Sequence, residues 1–259
     1  FMFGEVYDHS PSVMSRYSTQ GGLSATLDFG FQRAVKAYVT GQGSASDLRD
    51  LFEEDDYYTA PTRNAYSLPT FLGNHDMGRI GHFVQRANPR DDGKTLLARS
   101  SLAHALLFFA RGVPVIYYGD EQGMTGEGGD KAARQDMFKT QVPSYAAETP
   151  IGGQAGAQSH FDTKHPLFEL IQNLAKTRQA HTALRRGAQF HRYASRGAGI
   201  YAFSRIDREE QREYIVLTNS HPEAQTARFA SFTPKAKFEA IWGATGPLQS
   251  DDKGELEIS

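Results

Sequence analysis

The stretch Leu68-Pro-Thr-Phe-Leu-Gly-Asn-His-Asp-Met-Gly-Arg79 decides the fold of this chain. It is apolar up to a glycine and then presents Asn74, His75 and Asp76 in a row. The apolar part predicts a buried strand over 68–72, and Pro69 is acceptable because it stands near the start of that strand. The three polar side chains would then lie at the rim of a pocket.

Strands and helices alternate on both sides of this stretch. Apolar spacing at i, i+3, i+4 and i+7 predicts helices after the strand ends, and such an alternation is typical of parallel βαβ units. The predicted strand ends are Phe1–Gly4, Leu27–Phe31 and Val113–Tyr118. The predicted helices start at Phe31, at Ser46 as an N-cap, at Lys94 (through Ala110, stopped by Gly112) and at Pro166.

The pattern changes near residue 183. The preceding segment, Gly119–His165, is rich in glycine and has little periodicity, which is typical of a functional or mobile connection. Beyond the change, short β-type runs alternate with turn residues and predict a small all-β domain. These runs are Phe190–Tyr193, Gly199–Arg205, Tyr214–Thr218 and Phe238–Trp242. We therefore predict an α/β domain over 1–183 and a β-sandwich domain over 184–259.

Composition narrows the classes of partner. A formal net charge of −2 argues against nucleic acid. The absence of cysteine excludes disulfides and thiolate metal sites. No apolar run reaches the roughly 18 residues of a membrane span, so no membrane partner is expected. Histidine spacing predicts no zinc site, and the acidic run Glu53–Asp56 lacks the pattern of a calcium-binding EF-hand loop, so we predict no metal in this chain.

Carboxylates follow three of the predicted strands, at Glu5, Asp76 and Glu121. In a parallel α/β barrel all strand ends open on one face, which would bring such residues together. Two converging carboxylates suit the cleavage of a glycosidic bond, and His75 could donate hydrogen bonds to sugar hydroxyls. Each group also has a structural interpretation, as an ion-pair partner or as part of a turn.

Several motifs in order resemble the α-amylase family of glycoside hydrolases. Phe71-Leu-Gly-Asn-His-Asp76 resembles the Phe-x-x-Asn-His-Asp motif of that family, and Phe3-Gly-Glu-Val6 resembles the motif of its general acid. Gly112-Val-Pro-Val-Ile-Tyr-Tyr-Gly-Asp-Glu121 is similar to its strand-eight segment, and Arg134-Gln-Asp-Met-Phe138 to the arginine-containing loop that follows. The resemblance covers residues 1–180, and the tail looks like the small C-terminal β-domain of the family.

The resemblance implies roles for individual residues. Glu5 would be the general acid/base, Asp76 would stabilise the transition state, and His75 would bind hydroxyls of the sugar at the cleavage point. The further pocket residues that the resemblance implies are Asn74, Arg79, Tyr118, Glu121 and Arg134. The substrate would be an α-1,4-glucan such as starch or malto-oligosaccharides.

One family motif is missing. The nucleophile of the family is an aspartate in a Gly-x-Arg-x-Asp motif, which this sequence does not contain. The resemblance therefore implies a partial TIM (β/α)8 barrel, strands five to eight, followed by the small all-β sandwich. Such a fragment would lack activity and be poorly stable alone, with open strand edges at Phe1–Gly4 and Val113–Tyr118. Any calcium site would lie in the missing N-terminal portion.

Other functions remain open from sequence. A glucanotransferase or sucrose-type enzyme of the same family shares the carboxylates, whereas a non-catalytic relative would have lost them. A carbohydrate-binding module fits the tail alone, but Trp242 is expected in the core rather than as a sugar platform. Related bacterial enzymes are often exported, which favours an extracytoplasmic location. The sequence does not define the oligomeric state.

Overall fold

Four short parallel strands form the centre of the first part of the chain. The computed structural model describes residues 1–243 and 246–258. The strands are β1 (Phe3–Gly4), β2 (Ala25–Thr26), β3 (Pro69–Thr70) and β4 (Val113–Pro114). β1 pairs with β2 and β3 pairs with β4, both in parallel. The amide of Asp28 donates to the carbonyl of Pro69 at 3.0 Å, which joins the two pairs in chain order.

Helices connect and follow these strands. They are α1 (Pro11–Thr19), α2 (Phe29–Thr40), α3 (Ala45–Glu53), α4 (Ile80–Ala87), α5 (Gly93–Phe109), α6 (Pro143–Ala147), α7 (Pro166–Ala180) and α8 (Thr182–Arg186). Short 3₁₀ helices cover Glu54–Tyr58, Ala65–Ser67 and Asp120–Gln122. Throughout residues 1–243 and 246–258, none of the helices combines the length and apolar character needed to cross a bilayer.

Side-chain caps explain where several helices begin. Asp28 accepts a hydrogen bond from the amide of Phe31, which starts α2 at Phe29 and ends the strand earlier than predicted. Ser44, not Ser46, caps α3 through a capping box with Asp47. The helices predicted over Lys94–Ala110 and from Pro166 are confirmed as α5 and α7.

Gly112 lies just beyond α5, where β4 approaches β3. Its φ is +104°, and a Cβ at this position would lie 2.5 Å from Cγ2 of Thr70. A side chain there would push β4 away from β3 and would also force a left-handed backbone on a non-glycine residue. Gly112 therefore allows β4 to pair with β3 and also ends the helix. The observed β3 and β4 are shorter than the predicted strands over 68–72 and 113–118.

The tail consists of antiparallel β-structure. β5 (Ala188–Ala194), β6 (Ile200–Asp207) and β7 (Arg212–Asn219) form one sheet. β8 (Ala227–Ala230) pairs with β11 (Glu255–Ile258), and β9 (Lys237–Phe238) pairs with β10 (Leu248–Gln249). The predicted run Phe238–Trp242 is only partly a strand. Trp242 is 39% exposed and lies edge-on to Phe109 at 5.4 Å, so its predicted place in the core was wrong.

Two hydrophobic clusters support the first part of the chain. The larger one packs α2, α5 and α7 against Tyr201 and Phe203 of β6. It therefore crosses the predicted boundary between residues 183 and 184, which stays a prediction. The smaller cluster lies among the strands and contains Phe29, Leu68 and Phe71. This smaller cluster carries the candidate site.

Three buried arginines surround the end of α5. Arg178 donates to the carbonyls of Phe108, Ala110 and Gly112, and Arg205 donates to those of Phe109 and Gly187. Carbonyls at a helix end have no partner within the helix, and positive charge there also favours the helix dipole. Burial lowers the pKa of Arg178 to about 10 and that of Arg205 to about 9, so both remain charged at neutral pH.

The third arginine of this group is paired with carboxylates. Arg111 contacts Asp28 at 2.5 Å and Asp55 at 2.6 Å, and the guanidinium is buried. Its backbone amide also donates to the side-chain oxygen of Gln189 in β5. Arg111 therefore binds three segments: the start of α2 through Asp28, the 3₁₀ helix after α3 through Asp55, and the first strand of the tail through Gln189. We call Arg111, Arg178 and Arg205 the helix-end arginines.

Candidate active site

The row of parallel strands brings Glu5 and Asp76 to the same edge of the structure. Glu5 directly follows β1, and Asp76 lies on the loop that follows β3. Their chain neighbours Val6 and Met77 pack on the same apolar cluster around Phe29 and Phe71. Both carboxylates are exposed. The segments that carry the two predicted catalytic residues therefore share one apolar cluster, and the catalytic roles of Glu5 and Asp76 stay predictions.

Aromatic rings continue this link from one segment to the other. Tyr7, two residues after Glu5, meets the ring of Phe29 at 5.1 Å, and Phe29 meets Phe71 at 5.1 Å, both edge to face. Such pairs favour fixed relative orientations over sliding contacts. The segment that carries Glu5 is thereby held against the strand that carries Asp76.

A tight turn from Asn74 to Gly78 presents His75 and Asp76. The backbones of Asn74 and Gly78 exchange two hydrogen bonds, of 3.1 and 3.0 Å. The side-chain oxygen of Asn74 accepts from the amides of Asp76 and Met77 at 3.1 and 2.8 Å. This oxygen is used within the turn, which leaves the amide group of Asn74 for the predicted substrate contact.

His75 and Asp76 lie side by side at the tip of the turn. Nε2 of His75 is 3.3 Å from Oδ1 of Asp76, and their side chains are 39% and 49% exposed. Asp130 lies across from them, and one polar atom of each of the three residues falls within 4.8 Å of the others. Arg134 binds Asp130 at 2.6 Å, and this hydrogen bond lowers the pKa of the Asp130 carboxyl.

Arg79 occupies a different place from the one predicted. Its side chain has no exposed surface, and its donors bind Gln135, Asp120 and the carbonyls of Tyr118 and Ala133. The guanidinium also faces the rings of Tyr117 and Tyr118 at 4.4 and 4.9 Å. A direct contact of Arg79 with substrate does not fit this buried position. The residue instead joins the loops after β3 and β4 behind the site.

The two neighbouring carboxylates after β4, Asp120 and Glu121, lie in different environments. Asp120 is buried 3.1 Å from Arg79, and burial raises its pKa to about 7 against the opposing effect of that arginine. Glu121 accepts a hydrogen bond from the amide of Gly119 within its own turn, at 2.8 Å. Tyr118 is exposed and available to a ligand. The substrate contacts predicted for Tyr118 and Glu121 stay predictions.

Two features of this site were missed in the sequence. Asp130 has no place in the motifs, although its spacing of four residues from Arg134 is the spacing of an ion pair within one turn. The glycine-rich segment 126–130, which lies along the turn of His75 and Asp76, carries no periodicity that could have identified its position.

A known protein family matches the part of the chain that carries the candidate site. The family model described as "Alpha amylase, catalytic domain" matches residues 1–187. An α-amylase of Streptomyces lividans is 45% identical over 260 positions, which cover all of this chain and 28% of that protein. A cyclomaltodextrin glucanotransferase of Paenibacillus macerans is 25% identical over 206 positions, 78% of this chain and 24% of that protein.

Solved structures show the same fold. An α-amylase from Anoxybacillus superposes with a TM-score of 0.77 at 22% identity and covers all of this chain and 49% of its own. The α-amylase of Geobacillus thermoleovorans, solved with acarbose, gives 0.74 at 20% identity, with 100% and 50% covered. The chain thus spans about half of these structures and 28% of the Streptomyces protein. On the family match and the order of its motifs, the chain belongs to the α-amylase family of glycoside hydrolases.

Proposed function

We propose that this chain supplies two of the catalytic carboxylates of a retaining hydrolase of α-1,4-linked glucans, such as starch and malto-oligosaccharides. The observation that carries the proposal is the placement of Glu5 and Asp76, both exposed, around one apolar cluster at the ends of β1 and β3. The names of the relatives support the substrate class, because the Streptomyces protein is an α-amylase.

In this proposal Glu5 is the general acid and the general base. It donates a proton to the glycosidic oxygen as the bond to the sugar breaks, and it later removes a proton from the water that releases the sugar. Asp76 accepts hydrogen bonds from sugar hydroxyls and stabilises the positive charge that develops on the ring. His75, beside Asp76 at 3.3 Å, orients the same sugar.

The retaining mechanism needs one further carboxylate. The nucleophile must lie roughly 5 to 5.5 Å from the acid, on the other side of the bond. The sequence has no Gly-x-Arg-x-Asp motif, so we propose that the nucleophile comes from a segment outside this chain. In this interpretation β1 to β4 are strands five to eight of a TIM barrel, and the tail is its β-sandwich domain. We call the chain together with that segment the complete enzyme.

Calcium, which the family resemblance implies, does not fit the described residues. Calcium takes six to eight oxygen ligands. Among residues 1–243 and 246–258, the group closest to a metal site is His75, Asp76 and Asp130. His75 is already in contact with Asp76 at 3.3 Å, and Arg134 is paired with Asp130 at 2.6 Å. We therefore place any calcium site outside this chain.

A transferase is the second candidate, because the Paenibacillus macerans relative is a cyclomaltodextrin glucanotransferase. Hydrolysis is favoured because the 45% identical relative is an α-amylase. A non-catalytic role is disfavoured because Glu5 and Asp76 are both present and exposed. Digestion of maltoheptaose by the complete enzyme separates the two enzyme candidates, since transfer gives longer as well as shorter chains.

The test of this proposal compares two proteins. The purified 259-residue chain should release no reducing sugar from soluble starch, whereas the complete enzyme should release it readily. Release of reducing sugar by the 259-residue chain would contradict the proposed missing nucleophile. An inactive complete enzyme, folded by circular dichroism, would contradict the proposed hydrolase itself.

A further inference from the structure

The segment 126–130 lies antiparallel to the turn that carries His75 and Asp76. The amide of Arg79 donates to the carbonyl of Gly126 at 3.1 Å, and Gly78 forms a bridge with Glu127. The amides of Gly129 and Asp130 then donate to the carbonyls of Asp76 and His75, at 2.9 and 3.1 Å. The backbone of both site residues is thus bonded to a segment about fifty positions later in the chain.

We propose that segment 126–130, anchored by Arg134, positions His75 and Asp76 for the reaction. We call it the positioning segment. The inference rests on the proposed hydrolase function, and it assigns the segment no contact with the reacting atoms. Its effect would act through the backbone of the turn, since the side chains of His75 and Asp76 are the groups that reach solvent.

The close approach of the two backbones depends on Gly128. A Cβ at this position would lie 2.5 Å from the carbonyl oxygens of Asp76 and Met77. Real Cβ atoms do not come this close to backbone, and a backbone neighbour cannot rotate away as a side chain can. Any side chain at Gly128 would therefore displace the positioning segment or the turn that carries Asp76.

The far end of the segment is held in an unusual conformation. Asp130 has a φ of +74°, in the left-handed region that non-glycine residues rarely adopt, and Gly129 before it has +91°. Arg134 binds this residue twice, at its carbonyl through Nε at 2.5 Å and at its carboxylate at 2.6 Å. Arg134 thereby stabilises the conformation that points the amide of Asp130 at the carbonyl of His75.

The experiment compares Gly128→Ala with Gly93→Ala in the complete enzyme. Gly93 is the first residue of α5, and a Cβ there meets nothing within 4 Å. For Gly128→Ala we expect kcat on maltoheptaose to fall about 100-fold while KM changes less than about threefold, because a displacement of about 1 Å has effects of that size. Amides in peptides covering 74–79 should exchange with deuterium at least about tenfold faster. Gly93→Ala should match the wild type in both.

A second pair of variants covers the case in which Gly128→Ala fails to fold. Asp130→Asn and Asp130→Ala both remove the charge, but asparagine tolerates the left-handed region and alanine does not. We expect Asp130→Ala to have a kcat about tenfold below that of Asp130→Asn. Equal kcat and equal exchange for these two variants would overturn the inference.

The two measurements, kcat and deuterium exchange over residues 74–79, separate this inference from the proposed function. Unchanged exchange over 74–79 in a folded Gly128→Ala variant would overturn it whether or not the enzyme is active. Faster exchange with unchanged kcat would overturn it as well, since the segment would then be structural only. If the wild-type enzyme hydrolyses no α-glucan, the proposed function is contradicted, and the exchange readout alone decides whether the segment holds the turn.

Discussion

Ionisable side chains form two contrasting groups in this molecule. Glu5, His75 and Asp76 reach solvent, and the turn that carries the last two is fixed mainly through its backbone. The helix-end arginines are buried, and they are fixed by their own guanidinium groups. The first group leaves its polar atoms available to a ligand. The second uses its polar atoms to hold α5 against its neighbours.

Desolvation explains why the two groups differ. A buried charge is costly unless it is paired or hydrogen-bonded, so a guanidinium at the end of α5 must bind carbonyls or carboxylates. An exposed charge adds little to stability, typically 0 to about 1 kcal/mol, so its identity can be set by the reaction. Substitutions in the exposed group should therefore change turnover, and substitutions in the buried group should change stability.

The largest expected effect is in the exposed group. Asp76→Asn in the complete enzyme removes the charge that stabilises the transition state, and we expect turnover to fall by several orders of magnitude. The melting temperature should stay within a few degrees of the wild type, because Asp76 is exposed. Initial rates on maltoheptaose and a thermal melt check both parts. Near-normal turnover would show that Asp76 has been given the wrong role.

The buried group should respond in the opposite way. Arg111→Met leaves Asp28 and Asp55 without their cation, and we expect the free energy of unfolding to fall by about 3–5 kcal/mol. Arg228→Met is the matched control, because Arg228 is 64% exposed and pairs with Asp251 and Glu255 at the surface. The control should lose less than about 1 kcal/mol. Urea unfolding curves measure both variants, and similar losses in the two would contradict the distinction.

His75→Asn should have a smaller effect than Asp76→Asn. The loss of one hydrogen bond to a sugar hydroxyl should lower transition-state stabilisation by about 1.5–3 kcal/mol. The ratio of kcat/KM for wild type and variant gives this value directly. A loss as large as that of Asp76→Asn would instead indicate that the His75 ring holds Asp76 in place.

A buried histidine of α5 predicts how stability depends on pH. His104 is fully buried, and burial lowers its pKa to about 4. Between pH 6.5 and 4 the unfolded chain binds a proton that the folded chain does not, so stability falls as the pH falls. In this pH window the free energy of unfolding of His104→Gln should lack a slope of about 1.4 kcal/mol per pH unit that the wild type shows. The slope of urea midpoints against pH, compared between the wild type and His104→Gln, measures the effect, and equal slopes for the two proteins would contradict it.

Much of the helical part could be predicted from apolar spacing. α5 and α7 are long enough to repeat their buried positions several times, and both were predicted. α8 spans only Thr182–Arg186, too short for any repeat, and was missed. Strands β1, β3 and β4 were predicted too long because an apolar run continues beyond the few residues that pair, whereas β5 and β7 extend beyond their predicted runs. Ser44 and Ser46 are both possible caps, and only the hydrogen bond to Asp47 distinguishes them.

The relative placement of Glu5 and Asp76 could be predicted, while their catalytic roles stay predictions. Glu5 and Asp76 lie at one edge because parallel strand ends share an edge, which sequence order already implies. The orientation of Arg79 could not be derived, because its partners Gln135 and Asp120 are 56 and 41 positions away. The positioning segment could not be predicted from the sequence either, because backbone hydrogen bonds between distant loops leave no pattern of residue types.

The most direct test of the central claim is the substrate dependence of Glu5→Ala in the complete enzyme. If Glu5 donates the proton to the leaving oxygen, hydrolysis of starch should fall by about 10²–10⁴-fold. The rate of the first step on an aryl malto-oligosaccharide whose leaving group is an acidic phenol should fall far less, because such a phenolate leaves without being protonated. This step is measured as the burst of released phenol. An equal loss on both substrates, or no loss on starch, would contradict the account.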